Sequence, residues 1–292
     1  MEHLKTGGLF YAFWRGIKYL IYLIRKPLYK KEQKGLSEQA LDRGRLDGYF
    51  IHEGDLKLIF SACGISIFWK ERELTVSPGL NMAVSTLGLW TNSSKGKWEI
   101  LFLGRDFFKI KTTYNELPLT QFWYIRIDSQ NQIAWRTNIL VEEWMHIDEF
   151  RFLAMVHPYY KVWLTDYYHD DFPSLDDYWH DICLTDQQVS LVGARFSRID
   201  NPLPSFSIES QAGNLLPLVQ NPPLSNHAHI IGIRVNDLKN KNNFEPGIYP
   251  ILSGRINIIE DERFLDEKIE SKRQDYLKNF TKKDKLNQGI EA

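Results

Sequence analysis

Two cysteines in 292 residues, Cys63 and Cys183, are too few to staple a fold. Neither stands in a CxxC pair, and metal sites of the thiolate kind need clustered ligands. Two free thiols suit a reducing compartment. Net charge is also lacking. The formal balance of -1 gives no global pull towards nucleic acid or anionic lipid. No basic patch with interleaved aromatics lies inside the body, so nucleic acid is not an expected partner. No GxSxG, P-loop or GxGxxG opening a helix occurs, which removes serine-hydrolase, nucleotide-cradling and Rossmann readings. No uninterrupted apolar run of about 20 residues is present, so no transmembrane helix is expected.

The chain does have aromatic residues in quantity: 14% of the total, with nine tryptophans. Eight of these nine fall between residues 47 and 260, in a series of short strand-like runs. The clearest is Gln121 to Val141. Phe122, Tyr124 and Arg126 alternate with Trp123, Ile125 and Ile127. Asp128-Ser129-Gln130-Asn131 makes a turn, and Ile133, Trp135, Thr137, Ile139 and Val141 line one face of the return. Lys57–Phe60 and Ser66–Lys70 pair across Ala62-Cys63-Gly64, and Ser77-Pro78-Gly79 reads as a break in the chain after them. Further strands are expected at Trp98–Leu103, Phe107–Tyr114, Phe150–Val156, Val189–Phe196, Ser205–Ile208, His229–Val235 and Arg255–Ile259. The spacing of turn signals is that of sandwiches and barrels. The expected fold is all-β: a large antiparallel, supersandwich-like β-sandwich.

The ends differ from this body. Residues 1–46 form a basic arm and linker, with no acid from His3 to Lys31. On a helical wheel Phe13, Ile17, Leu20, Ile21, Ile24 and Leu28 face one way, and Arg15, Lys18, Arg25 and Lys26 the other. A basic amphipathic helix over 8–31 would dock on a membrane surface or on a protein such as a glycosyltransferase. That places the chain in the cytoplasm or at the inner face of the membrane. Residues 47–260 are the sandwich. Residues 261–292 are a charged helix or tail, with Leu265, Ile269, Tyr276 and Phe280 as a thin apolar stripe.

Two segments can carry chemistry. Asp166-Tyr167-Tyr168-His169-Asp170 is echoed by Asp177-Tyr178-Trp179-His180-Asp181. Phe172-Pro173-Ser174 between them reads as a loop. Asp166, His169, Asp177, Trp179, His180 and Asp181 are candidates for gripping sugar hydroxyls and stacking on sugar rings. A solvated loop is the plain alternative, and metal binding or acid–base work a further one. No cofactor and no metal is assigned. The second segment is Asn226-His227-Ala228-His229, where His227 and His229 would point the same way on a strand. With Glu209 as base they form a candidate acid–base set. The alternative is one capping histidine and one packed against an aromatic.

The body resembles the galactose-mutarotase-like β-supersandwich, as in uncharacterised domains that accompany bacterial polysaccharide-biosynthesis enzymes. The segments that carry the resemblance are Ile67-Phe68-Trp69-Lys70 to Glu73-Leu74-Thr75, Leu89-Trp90-Thr91-Asn92-Ser93 leading to Gly96-Lys97-Trp98-Glu99, Leu117 to Trp123, and Glu142-Glu143. Asn226-His227 is similar to the Asn-His element of the mutarotases, which work with a histidine acid and a glutamate base. In that family the glutamate follows the histidines. Here Glu209 precedes His227, and Glu245 follows it. The resemblance implies a saccharide or polysaccharide intermediate as ligand. Three functions stay open: a carbohydrate-binding sandwich, a sugar epimerase, hydrolase or lyase, and a membrane-peripheral adaptor.

Overall fold

The structure is a computed structural model. It describes residues 49–185, 187–196, 203–210, 216–235 and 242–261, together with Asp266, Glu267, Ile269–Ser271 and Gln274. All of them fall in the compact unit Gly48–Ala292. The basic arm 1–46 and most of the tail 261–292 lie outside the described residues.

Strands are numbered β1 to β21 in chain order. One large sheet, sheet A, runs β1 (Phe50–Glu53), β2 (Leu56–Ser61), β3 (Gly64–Trp69), β5 (Thr75–Thr86), β12 (Glu149–Val156), β19 (His229–Val235), β18 (Leu216–Asn221) and β15 (His180–Cys183). β4 (Arg72–Glu73) adds to β3, and β6 (Leu89–Asn92) to β5. Sheet B has nine strands: β14 (His169–Asp171), β13 (Val162–Thr165), β16 (Leu191–Arg195), β17 (Ser205–Ser210), β21 (Gly247–Ile259), β10 (Gln132–Val141), β9 (Leu119–Ser129), β8 (Phe107–Thr113) and β7 (Lys97–Leu103). A small pair joins β11 (Met145–His146) to β20 (Asn243–Phe244). The strand ladders described are antiparallel. The chain is an all-β sandwich, as its alternation predicts.

The alternation explains which faces meet. On β10 Ile133, Trp135, Thr137, Ile139 and Val141 are all buried, and on β9 Leu119, Gln121, Trp123, Ile125 and Ile127 join them. Sheet A answers with Leu56, Leu58 and Phe60, with Leu80, Met82 and Val84, and with Phe150, Phe152 and Ala154. Phe152 stacks flat on Trp135, with centroids 3.7 Å apart and planes 7° from parallel. Trp123 sits beside Phe152 at 5.9 Å and Trp98 at 5.4 Å, and Phe60 reaches Trp98 at 6.0 Å. Five tryptophans of the body, Trp69, Trp98, Trp123, Trp135 and Trp163, are buried, whereas Trp90, Trp144 and Trp179 are exposed. Gly254, the register partner of Trp135, makes room for it. A Cβ there would lie 2.1 Å from the Glu209 carbonyl oxygen and 2.8 Å from the Trp135 ring.

Several expectations shift in detail. The hairpin loop is Gln130–Asn131 alone, because Ser129 pairs with Gln132. β5 runs straight through Ser77-Pro78-Gly79, and β21 begins well before Arg255 and passes through Pro250. Proline lacks an N–H, so it enters a sheet where pairing is already interrupted. Pro250 sits at the bulge opposite Thr137/Asn138, and Pro78 lies in the stretch where the β5–β12 register shifts. Pro217 lies beyond the last β18 residue paired with β15.

Removing a stacked indole from this core leaves a cavity that two packed sheets cannot close. Trp135→Ala is expected to lower stability by about 3–5 kcal/mol, read by urea unfolding. Trp90→Ala, at an exposed ring, is expected to cost under about 1 kcal/mol in the same assay.

Candidate functional site

The repeated acidic-aromatic segment crosses from one sheet to the other at one end of the sandwich. Its first half forms β14, the last strand of sheet B, and its second half forms β15, the last strand of sheet A. The loop reading is therefore corrected in part: residues 169–171 and 180–183 are strands, while 166–168 and 172–179 are without regular structure. The flanking residues take strands because each finds an open edge, β14 on β13 and β15 on β18.

The first turn is set by hydroxyl chemistry. Thr165 Oγ1 accepts the Tyr167 and Tyr168 N–H groups at 3.2 and 3.0 Å. Asp166 points inward and is buried. Its Oδ2 accepts from the Ser190 N–H at 2.7 Å and the Ser190 hydroxyl at 2.6 Å, fastening the turn to the segment before β16. Tyr168 is left exposed, with its hydroxyl donating to Gln187 Oε1 at 2.9 Å. His169 lies beside it on β14, opposite Leu164.

These two rings border a pocket of about 310 Å3 on the outer face of sheet B, lined also by Leu164, Thr165, Arg195, Asp266, Ile269 and Glu270. Ile269, on a helical stretch of the C-terminal segment, packs against Leu164, Leu191 and Ile259. That contact brings the acids Asp266 and Glu270, four residues apart, over the sheet. Asp266 Oδ1 pairs with Arg195 Nη1 at 3.3 Å, and Glu270 Oε1 accepts from Gln274 Nε2 at 2.7 Å. The floor is apolar, one wall is aromatic and the other holds oxygen acceptors.

The crossing loop is anchored from below. Phe172 is buried and stacks on the His229 ring, 4.1 Å apart and 13° from parallel. His229 Nδ1 donates to Asn221 Oδ1 at 2.6 Å, while Asn221 Nδ2 donates to the Pro173 carbonyl at 2.8 Å. The Leu224 N–H donates to the Asp176 carbonyl at 2.6 Å, tying the one-turn 3-10 helix Leu224–Asn226 to the same loop. On this base Tyr178 and Trp179 stand out, 72% and 52% exposed. Asp177 is exposed beside them. His180 Nε2 meets Asp176 Oδ2 at 2.8 Å. The Tyr178 N–H, and then His180, hold the Asp176 carboxyl below the usual carboxylate range. Asp181 Oδ1 accepts from Gln220 Nε2 at 2.5 Å.

The expected acid–base set is split by the fold. His229 is on sheet A, paired with Val156 and covered by Phe172. His227 is exposed, in the left-handed conformation (φ 45°) that closes the 3-10 turn, so the two histidines do not share a strand face. Glu209 is on sheet B, opposite Arg255. Its neighbours Ile208 and Ser210 alternate with it, and Ile208 is the one in the core, so Glu209 faces outward. The structure brings both histidines to the crossing loop and leaves Glu209 elsewhere. Sequence reading passed over Arg195, Asp266 and Glu270. The readable signal was an i, i+4 acid pair flanking the apolar Ile269. Among the described residues no three His, Cys, Asp or Glu side chains come together to hold a metal ion.

Burial pushes the His229 pKa down to about 4, the Lys161 charge adds to this, and the Pro158 carbonyl opposes it. The folded protein thus resists protonation of a ring that the unfolded chain protonates near pH 6.5. Stability is whole above pH 6.5 and falls as pH drops towards 4, by on the order of 3 kcal/mol. His229→Phe keeps a ring on Phe172 and removes the titration. Its urea midpoint is expected to vary less between pH 7 and 4.5 than that of the wild type.

No protein-family model and no curated protein matches the chain. Solved structures are similar at a distance. An alpha-N-acetylgalactosaminidase, NagBb from Bifidobacterium bifidum, matches with a TM-score of 0.49 and 11% identity over 73% of this chain and 36% of that one. A GalM/aldose epimerase homologue from C. elegans matches with a TM-score of 0.47 and 9% identity over 72% and 98%. A GH36 alpha-galactosidase, AgaB from Geobacillus stearothermophilus, matches with a TM-score of 0.44 and 8% identity over 73% and 40%. The chain thus spans well under half the length of the first and third. Likenesses of this depth carry no activity across, and the function rests on this chain's own side chains.

Proposed function

We propose that this chain is a saccharide-binding β-sandwich whose ligand seats at the end where β13, β14 and β16 meet the C-terminal segment. The observation that carries the reading is the pocket bounded by Tyr168, His169, Arg195, Asp266 and Glu270 over Leu164 and Ile269. At about 310 Å3 it is at the small end of ligand pockets, which run from about 300 to 1,000 Å3. A sugar ring has an apolar CH face and a rim of hydroxyls. Tyr168 offers a flat surface to the first, and carboxylates, imidazole and guanidinium offer hydrogen-bond partners to the second. The mixed charge of the lining favours a neutral polyol over a strongly anionic ligand. His169, Tyr178, Trp179, Asp177 and His180 extend the same chemistry along the crossing segment, which suits a sugar that is part of a longer glycan.

Calorimetric titration against a panel of hexoses and oligosaccharides tests this. At least one is expected to bind, and Tyr168→Ala is expected to weaken it about tenfold, the worth of a lost aromatic stack. Absence of binding to every saccharide tried would remove the reading.

The stretch 8–31 is proposed to hold this body at the cytoplasmic face of a membrane or against a glycosyltransferase of polysaccharide assembly. Its one-sided charge and apolar stripe support that. The full chain is expected to sediment with anionic vesicles and a chain lacking 1–34 to stay in solution. Equal sedimentation of both would leave only the protein-docking form.

A further inference from the structure

Three of the four strands that end the two large sheets carry adjacent titratable residues and no apolar run of four. β14 is His169-Asp170-Asp171, β15 opens with His180-Asp181, and β1 closes with His52-Glu53. Charges at an edge discourage another strand from adding to it. The fourth, β7, is different. Among the described residues it pairs only with β8, which leaves its other row of N–H and C=O groups without a strand partner there. It also runs Ile100-Leu101-Phe102-Leu103, with Leu101, Phe102 and Leu103 exposed by 42%, 53% and 40%. A register shift between Ile100 and Phe102 interrupts the pairing with β8. Phe102 is braced by Phe107, with centroids 5.7 Å apart. The patch is thus a held surface with both an unpaired backbone and an apolar side.

The charges at its two ends are of opposite order. Lys97 and Glu99 lie before the apolar run, and Arg105 and Asp106 lie in the turn after it. None of these four has an ion pair among the described residues. We propose that β7 pairs antiparallel with β7 of a second copy of this chain, joining the two nine-stranded sheets across a twofold axis. Set between Leu101 and Phe102, that axis puts Leu101 across from Phe102 and Ile100 across from Leu103. It also brings Lys97 across from Asp106, twice by symmetry, while Glu99 lies across from Gly104, one position from Arg105. A single strand thus complements itself in backbone, apolar surface and charge. The backbone bonds supply attachment and the end charges select the register.

Sedimentation velocity of the full chain over a range of concentrations tests this. A dimer that dissociates on dilution is expected. Phe102→Lys is expected to weaken it at least tenfold, with circular dichroism and thermal unfolding unchanged because the ring is exposed. Lys97→Asp and Asp106→Lys should each weaken the dimer, and the double variant should recover most of the affinity. A wild-type chain that stays monomeric at the highest concentration overturns the proposal. So does a dimer indifferent to Phe102→Lys, which would place association elsewhere, or a double variant no better than its parents.

Discussion

The face-to-face contact of Trp135 with Phe152 joins the two sheets at their middles. Each ring belongs to a central strand, β10 in sheet B and β12 in sheet A, so the contact sets how the layers sit on one another. Much of the remaining architecture depends on that spacing. Trp123 and Trp98 fill the space on one side, and Gly254 must stay bare to let the indole lie flat. With the layers fixed, the ends of the two sheets face each other at a set separation. The crossing segment between β14 and β15 spans that gap.

That segment is where the fold and the candidate site are one problem. Its backbone is held by Phe172 under His229, by Asn221 reaching Pro173, and by Leu224 reaching Asp176. Two of the sequence's candidates, His229 for acid–base work and Asp166 for gripping a sugar, are spent on this fastening, and both are buried. Tyr168, Tyr178 and Trp179 stay exposed on the same segment. A rigid base with rings projecting from it is how loops acquire binding function without losing their shape.

Much of the architecture was legible from residue alternation. β9 and β10 could be read almost residue by residue, because one buried face and one solvent face give a clean period of two. β19 was legible to its ends. The strands that were missed or read too short have specific causes. β5, β18 and β21 contain Pro78, Pro217 and Pro250, which look like breaks until the bulge or open side that tolerates them is known. β14 and β15 are short, acidic and exposed, so they look like loop. Which tryptophans face out was not readable either, since Trp90 and Trp123 both stand in alternating runs. The pocket was least legible. Its acids come from Asp266 and Glu270, roughly a hundred residues beyond Tyr168, and only Ile269 docking on Leu164 and Leu191 unites them.

The strand order of sheet B has a consequence for valency. β14 and β7 are its opposite poles, and eight interstrand steps of about 4.8 Å put them roughly 40 Å apart. Whatever couples at the apolar pole leaves the polar pole unobstructed. Paired chains would therefore offer two outward-facing ligand sites on one continuous sheet. A polymer long enough to reach both would be retained by avidity, even where a single site grips it weakly.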